Sequence, residues 1–310
     1  MQEEALRRGW RIETVGPKGY FLKVTLPDGR WNLFRGSTPL QTSALGRIIC
    51  QQKNLTLDYL RSLGYKVPDF AVVEDVRQAL EFLHQHQQIV IKPVDGQQTE
   101  GVTVGVADDE TATQAFKYAR KHSGSGKIIA QQHLTGKLYR LLVIDGKLVA
   151  AAWRQAAYVV GNGMATVAEL IEAMNQEPSR QGPRALVGPV DAVLAAKFLG
   201  SARYHSVLAA GEQLTVSPID SITAGGDAHN VTGYVHQSWR TFVERVAVQT
   251  GLFIAGYDVM CSDIAEPLQD DYIPLLEINS SPGFKTHEYS ADGKEPVHPA
   301  PLLLDAVFGI

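Results

Sequence analysis

One apolar run near the C-terminal end constrains the fold more than any other stretch of the chain. Residues 274–284 read Pro-Leu-Leu-Glu-Ile-Asn-Ser-Ser-Pro-Gly-Phe, which predicts a short buried strand that ends abruptly at Ser-Ser-Pro-Gly. Glu277 and Asn279 alternate along this strand, so both side chains point to the same face. A carboxylate and an amide oxygen side by side are hard oxygen ligands, suited to Mg²⁺ bound together with substrate phosphates.

A second predicted strand, at residues 254–260, carries a lone carboxylate, Asp258. If this strand pairs with the first in antiparallel register, Asp258 lies beside Glu277, and with Asn279 the three side chains form a metal site. The alternative is a hairpin with one polar face in water, because a motif as short as Glu-x-Asn has many chance matches.

Composition narrows the class of protein and of partner. A chain of 310 residues is long enough for one large domain or for two to three small ones. The formal net charge of −4 gives no electrostatic reason to expect nucleic acid or an anionic membrane as a partner, and it leaves a homodimer open. The 2 cysteines, the absence of a signal-peptide pattern and the absence of a long apolar run predict a cytoplasmic protein.

Strand and helix patterns alternate along the chain and predict an α+β fold. A strand–turn–strand–helix–strand unit at residues 89–133 reads as a small module by itself, and Asp-Gly at 145–146 predicts a hairpin. Residues 177–189 and 217–226 read as loops, the second small and glycine-ended as if it approached a ligand. Helices are predicted at residues 42–63, 75–86, 109–121, 167–175, 191–199, 236–250 and 301–308.

Several short motifs follow one another in a fixed order and carry a resemblance to a known family. They lie at residues 51–56, 91–96, 140–147, 159–163, 169–171 and 223–226, and they continue through Asp258 to Glu277-Ile278-Asn279. In this order they resemble the ATP-grasp ligases, in particular the ATP-grasp portion of cyanophycin synthetases and of bifunctional glutathione synthetases. The resemblance begins near Ser37 and runs to the C-terminal end.

The resemblance implies an α+β ATP-grasp fold, with nucleotide held between two α+β subdomains and with a short N-terminal α/β region. The boundaries expected from it are an N-terminal region at 1–50, a linker and first part of the core at 51–88, a lid subdomain at 89–133, and a C-terminal subdomain with the metal site at 134–310.

The function implied is a ligase that joins the carboxylate of an amino acid or short peptide to an amine through an acyl phosphate, with release of ADP and phosphate. ATP and Mg²⁺, or Mn²⁺ in its place, are the implied cofactors. Two alternatives stay open. One is addition of a small amino acid to a γ-glutamyl dipeptide, as in glutathione synthetases. The other is a nucleotide-binding protein that has lost catalysis on the same fold.

The resemblance also implies roles for single residues. Lys53 and Lys92 match the two lysines of the family that contact phosphate. A surface charge is the alternative for Lys53, whereas Lys92 ends a compact apolar strand and must leave it towards something polar. Arg154 matches an arginine that faces the acyl phosphate, and its planar fork suits phosphate oxygens. Gly96 and Gly101 bound the turn of the lid.

The segment Gln131, Gln132, His133 and Leu134 matches the hinge whose backbone meets adenine. Just beyond the metal strand, Lys285, His287, Glu288 and Tyr289 are candidates for contact with the acyl substrate, and a surface turn is the alternative for all four. Gly225 and Gly226 allow either a close approach to substrate or simply a tight turn.

Four residues depart from the family pattern. Glu100 places a carboxylate in the lid, Leu138 stands where relatives often have an acid that binds the ribose hydroxyls, Ser217 stands near a usual arginine, and Gln131 replaces a usual glutamate. The predicted metal ligands are intact. The sequence therefore predicts an intact metal site beside a nucleotide site with altered side chains.

Overall fold

The N-terminal region forms an antiparallel sheet of its own. A computed structural model of the chain describes residues 1–96, 100–182, 185–269 and 272–310. Helix α1 and four strands in sequential order make up this region: α1 (Gln2–Arg7), β1 (Arg11–Val15), β2 (Phe21–Thr25), β3 (Trp31–Arg35) and β4 (Thr38–Pro39). Trp10 packs edge to face against Phe308, with ring centroids 5.3 Å apart, so the two ends of the chain share one core.

Two helices connect this sheet to the rest of the molecule, where the sequence predicts one helix over 42–63. That prediction is wrong at Gln52, whose extended backbone (φ −121°, ψ 124°) separates α2 (Ala44–Gln51) from α3 (Lys53–Ser62). The break makes Lys53 the first residue of α3, where its backbone N–H donates to the carbonyl of Val94 at 3.4 Å. The break therefore positions Lys53 against the strand end that carries Lys92.

A four-stranded antiparallel sheet with two helices forms the next unit, in the strand order β5-β8-β6-β7. Its elements are β5 (Phe70–Val73), α4 (Val76–His86), β6 (Ile89–Pro93), β7 (Thr103–Val106), α5 (Asp109–His122) and β8 (Ile128–Gln132). Asp75 and Asp108 cap the two helices by accepting hydrogen bonds from backbone N–H groups. Because β5 pairs with β8 along its whole length, the sheet begins at Phe70, upstream of the boundary expected at residue 89.

A five-stranded antiparallel sheet is the centre of the C-terminal half, in the strand order β13-β10-β9-β14-β15. Helix α9 packs on one face of this sheet, and α10 with the N-terminal sheet packs on the other. The elements are β9 (Lys137–Ile144), β10 (Lys147–Gln155), β13 (Asp227–Asn230), α9 (Gln237–Thr250), β14 (Ile254–Cys261), β15 (Leu275–Asn279) and α10 (Pro299–Phe308), with labels numbered in chain order. The hairpin predicted at Asp145-Gly146 is confirmed as the β9–β10 turn.

A small insertion between β10 and β13 has its own apolar core. It consists of β11 (Tyr158–Val160), α6 (Val167–Asn175), α7 (Ala192–Leu199), α8 (Ser201–Tyr204) and β12 (Gln213–Thr215). Helix α6 starts with a capping box in which Thr166 and Glu169 each accept a hydrogen bond from the other's backbone N–H. The predicted helices at 167–175 and 191–199 are confirmed, whereas the pairing of β11 with β12 is not predicted from the sequence.

None of the helices in the described parts of the chain has both the length and the apolar character needed to span a membrane. The two cysteines, Cys50 and Cys261, are free and half-buried.

Candidate functional site

The pairing of β14 with β15 brings the three predicted metal ligands together. In this antiparallel register Asp258 lies directly opposite Glu277, and Gly256 lies opposite Asn279, so the predicted pairing is confirmed. The amide of Asn279 donates to Oε1 of Glu277 at 3.1 Å, as expected for side chains that share a face. Asp258 is only 4% exposed, which argues against a polar face in water.

Two arginines hold the carboxylate of Asp258. Arg140 donates to it through both Nε and Nη2, the latter at 2.6 Å, and Arg154 donates through Nη1 at 3.3 Å. Burial by itself would raise the pKa of Asp258, but the charge and hydrogen bonds of Arg140, aided by Arg154, lower that pKa below its usual value. The carboxylate is therefore ionised and fixed in orientation.

Arg140 is not among the site residues predicted from the sequence, although a usable signal exists. It interrupts the apolar strand β9, as Lys92 interrupts β6, and a charge in a buried strand requires a polar partner. What the sequence does not reveal is the register that places Arg140 opposite Asp258.

Both predicted lysines lie beside the carboxylates. Lys53 donates through Nζ to the carbonyl oxygen of Gly96 at 2.7 Å and lies 3.8 Å from Oε2 of Glu277. Its side chain is 14% exposed, so the alternative of a surface charge does not describe it. Lys92 is buried, and burial, reinforced by the positive charge of Lys53, lowers its pKa to about 7. The ammonium group of Lys53 thus faces Glu277, and the charges of Lys53 and Glu277 both act on the buried amine of Lys92.

The turn between β6 and β7 depends on glycine at its far end. Gly101 has a φ of +72°, and a Cβ there would lie 2.7 Å from Cγ of Pro93 and 2.8 Å from Cβ of His122. Glu100 is exposed. The residues 97–99 of the predicted lid turn lie outside the described residues.

The predicted hinge begins at the end of β8. Gln131 is buried, its amide nitrogen lies 3.5 Å from the carbonyl oxygen of Leu275, and its Oε1 has no hydrogen-bond partner among the described residues. The N–H of Gln132 donates to Asp69 at 2.8 Å, and that of His133 donates to Gln88 at 3.2 Å. These two hinge N–H groups therefore already have partners within the protein.

A cavity of about 470 Å³ lies beside this hinge. It is bounded by the hinge, by the end of β14 and by the connection from β14 to β15, through residues 132–135, Trp239, 260–263, 266–269, Tyr272 and Pro274. In the described part of the chain, its lining includes neither the predicted metal ligands nor the two lysines. The cavity is therefore a neighbour of the hinge, distinct from the cluster around Glu277.

The glycines at 225–226 form a tight turn. The N–H of Gly225 donates to Ile222 at 3.3 Å and that of Gly226 to Ser221 at 2.9 Å. A Cβ on Gly225 would lie 2.4 Å from Cγ2 of Val190. Close packing, rather than approach of free N–H groups to a substrate, explains these glycines.

Two of the departures from the family pattern are buried apolar or neutral groups. Leu138 is 9% exposed and lies opposite Met260 on β14. Ser217 is 3% exposed, and its hydroxyl accepts from the N–H of Ile219 at 3.1 Å. Neither side chain places a charge at the site.

The segment after the metal strand is only partly a surface turn. His287 is 3% exposed, and the hydroxyl of Tyr289 lies 3.3 Å from Oδ1 of Asp227. Lys285, by contrast, is exposed and donates to the carbonyl oxygen of Ala185 at 2.9 Å. The sequence gives no reason to prefer any of the four candidates, whereas the structure buries His287 and exposes Lys285.

Comparison with known families and curated proteins identifies relatives of part of the chain. The family model for the prokaryotic glutathione synthetase ATP-grasp domain matches residues 59–166. A cyanophycin synthetase from Nostoc sp. (strain PCC 7120 / SAG 25.82 / UTEX 2576) is 34% identical over 281 residues, which is 86% of this chain and 30% of that protein. The chain thus spans about a third of the length of this curated relative.

Comparison with solved structures identifies proteins that have a similar fold. A bifunctional glutathione synthetase from Pasteurella multocida superposes with a TM-score of 0.71 at 21% identity, over 99% of this chain and 42% of that one. The ATP-grasp ligase PsnB, solved with a phosphomimetic variant of its minimal precursor, Mg and ADP, superposes with a TM-score of 0.51 at 15% identity, over 87% of this chain and 61% of that one.

Proposed function

The chain has the ATP-grasp fold and is similar over most of its length to one portion of the cyanophycin synthetases, and on that premise we propose that it is an ATP-dependent carboxylate-amine ligase. The observation that carries the proposal is the β14–β15 register. It sets Asp258 opposite Glu277, with Asn279 on the same face of the sheet, within a cluster that also contains Lys53. This is a set of oxygen ligands next to cations, as phosphoryl transfer requires.

The donor set suits magnesium. In the described ranges, no three or more His, Cys, Asp or Glu side chains are grouped so that they could hold a metal. A cation bound by Glu277, Asn279 and Asp258 therefore has to complete its shell with water and phosphate oxygens, which is how Mg²⁺ is usually bound. Asp258 can serve although two arginines contact it, because each carboxylate oxygen has two lone pairs. When bound, the metal neutralises charge on the phosphates.

The basic residues of the chain supply the remaining positive charge. We assign Lys53 and Lys92 to the phosphates of ATP, because both lie beside Glu277. Lys92, with a pKa of about 7 in the free protein, gains a proton when phosphate approaches, since a nearby anion favours the charged form. Arg154 is assigned to the acyl phosphate, because its Nε has no partner among the described residues.

The nucleoside is assigned to the hinge. Gln131, Gln132, His133 and Leu134 would meet adenine, and Gly96 and Gly101 would let the turn between β6 and β7 lie over the phosphates. Support for this assignment comes from the hydrogen bond between Lys53 and Gly96, which already joins that turn to the metal cluster.

The reaction requires no nucleophile from the protein. A carboxylate oxygen of the acyl substrate attacks the γ-phosphorus, and the bond to the ADP oxygen breaks. The amine of the second substrate then attacks the carbonyl carbon of the acyl phosphate, an amide bond forms, and phosphate leaves. Charge neutralisation and positioning supply the catalysis. An amino acid or short peptide is the proposed acyl substrate.

A glutathione-synthetase-like reaction is a second candidate within the same chemistry. It is favoured by the match of residues 59–166 to the prokaryotic glutathione synthetase family. In that case the acyl substrate is a γ-glutamyl dipeptide and the amine is a small amino acid.

The test is release of ADP from Mg-ATP with a pool of the twenty amino acids, with and without γ-glutamylcysteine, and with mass detection of any amide product. ADP formation that depends on an added amine supports the ligase, and the identity of the product separates the two candidates. If ATP binds but no amine stimulates ADP release, the chain is instead a nucleotide-binding protein that has lost catalysis.

A cytoplasmic location and a homodimer remain predictions. Cell fractionation and sedimentation equilibrium of the purified chain measure them directly.

A further inference from the structure

A buried histidine without hydrogen bonds lies next to the arginines that hold Asp258. His287 is 3% exposed, and neither ring nitrogen has a partner among the described residues. The charges of Arg140, Asp258 and Arg154 all act on it. Buried polar atoms in native proteins are nearly always paired, so this orphaned imidazole has hydrogen-bonding capacity that a ligand or an ordered water can satisfy.

Backbone contacts hold His287 over this part of the sheet. The carbonyl of His287 accepts from the N–H of Val297 at 2.9 Å, and the N–H of Ala291 donates to Ala228 at 2.8 Å. Ala228 lies opposite Arg154 in the pairing of β13 with β10. The 284–291 segment is therefore fixed along the edge strand β13, which is the neighbour of the strand that carries Arg154.

Arg154 provides a second unpaired donor at the same place. Its Nη1 donates to Asp258, whereas its Nε is buried and has no hydrogen-bond partner in the described part of the chain. An imidazole carries at least one N–H in either protonation state, which together with the Nε–H of Arg154 offers two donors to an anion.

From these contacts we infer that His287 and the Nε–H of Arg154 form the subsite for the carboxylate of the acyl substrate, an inference that rests on the proposed ligase function. His287 is then a substrate-contacting residue, and it acts as a hydrogen-bond donor. Arg154 keeps a second contact with Asp258, so the subsite is joined rigidly to the metal end of the sheet.

The experiment is binding of each of the twenty amino acids to the full chain with Mg-AMP-PNP, measured by calorimetry. It compares wild type with His287→Phe, which keeps the ring but removes both nitrogens. The matched control is His229→Phe: His229 also has a buried, unpaired Nε2, but it is adjacent to Ala228 in β13 and so lies on the opposite face. We expect His287→Phe to bind the best amino acid about ten- to hundredfold more weakly and His229→Phe to bind it as wild type does.

Two further variants keep the test decisive if His287→Phe does not fold. His287→Asn and His287→Gln place an amide N–H near Nδ1 and near Nε2, respectively, and we expect only one of them to keep wild-type affinity. Equal affinities in these two variants overturn the inference. So do unchanged binding by His287→Phe, equal losses in the two phenylalanine variants, and no binding of any amino acid by the wild type.

Inorganic phosphate as the probe separates the carboxylate from the phosphoryl group. If phosphate binding depends on His287 and amino acid binding does not, the subsite takes the phosphoryl group and the inference is wrong. The calorimetry does not depend on turnover. A wild type that binds amino acids through His287 but never releases ADP would contradict the proposed function and leave this subsite standing.

Discussion

The two ends of the candidate site differ in whether their buried side chains are charged. At the proposed metal end, Asp258 is buried between two arginines and Glu277 faces Lys53, so both carboxylates have a cationic partner. At the hinge end, Gln131 and Leu138 occupy the corresponding buried positions, and both are neutral. The difference teaches that paired charge is concentrated where we propose that phosphate binds, whereas the proposed nucleoside end has buried neutral side chains.

Removing a carboxylate from each end is the strongest test of this contrast. We expect Glu277→Ala to lower the rate of ADP formation by ~10³-fold or more, because charge stabilisation at the transferred phosphate is lost. Glu266→Ala removes a carboxylate from the cavity beside the hinge and should leave the rate nearly unchanged.

Steady-state ADP release measures both variants, and thermal melting without nucleotide shows whether each folds. Glu277 is partly exposed, so its loss should not lower the melting temperature. Undiminished turnover in Glu277→Ala would show that Glu277 is not a metal ligand. Equal losses in both variants would show that the two ends of the site do not differ in their contribution to catalysis.

The arginine that the sequence does not single out carries the next largest effect. Arg140→Met leaves the buried Asp258 with Arg154 as its remaining arginine, and we expect the free energy of unfolding to fall by about 3 kcal/mol. Urea denaturation measures this loss.

The double variant Arg140→Met with Asp258→Asn is the control, because it removes the unpaired charge. It should regain most of the stability but none of the activity. A single variant as stable as wild type would mean that Arg154 alone satisfies Asp258.

The stability of the metal end should also depend on pH. The pKa of Lys92 is about 7 in the folded protein, whereas the unfolded chain has an ordinary lysine near 10.5. Between these values the unfolded state binds more protons, so stability rises with pH. We expect wild type to gain about 2 kcal/mol relative to Lys92→Met between pH 7 and pH 9.

Urea denaturation of both proteins at the two pH values measures that gain. Gln131→Met is the matched control at the hinge, where the substituted group does not titrate, and its difference from wild type should be the same at both pH values. A pH-independent difference for Lys92→Met would show that Lys92 keeps an ordinary pKa.

The sequence predicts local features of this fold well and long-range pairing less well. Alternation along β15 places Glu277 and Asn279 on one face because side chains in a strand alternate regardless of tertiary context. The break at Gln52 is not predicted, since it depends on contact with the distant residue Val94. Arg140 becomes a site residue only through the register of β9 with β14, and no local pattern encodes that register.

The smallest expected effect, at Leu138, tests the hinge end alone. Leu138 is buried opposite Met260, on the same face of β9 as Arg140. An acid at this position would accept hydrogen bonds from the ribose hydroxyls, and a leucine accepts none. We therefore expect 2′-deoxy-ATP to be used nearly as well as ATP, because Leu138 cannot accept a hydrogen bond from the 2′-hydroxyl.

Leu138→Glu should restore discrimination between the two nucleotides by about tenfold, or ~1.4 kcal/mol. The Michaelis constants of ATP and 2′-deoxy-ATP, measured for wild type and for Leu138→Glu, give the result. Tyr139 lies next to Leu138 but is buried in the apolar core on the other face, so Tyr139→Phe is the matched control and should not change the ratio.

A wild type that already prefers ATP by more than about tenfold would mean that another group contacts the ribose. The cavity beside the hinge offers one such group in Asp263, and Asp263→Asn would then abolish the preference while leaving the metal end intact.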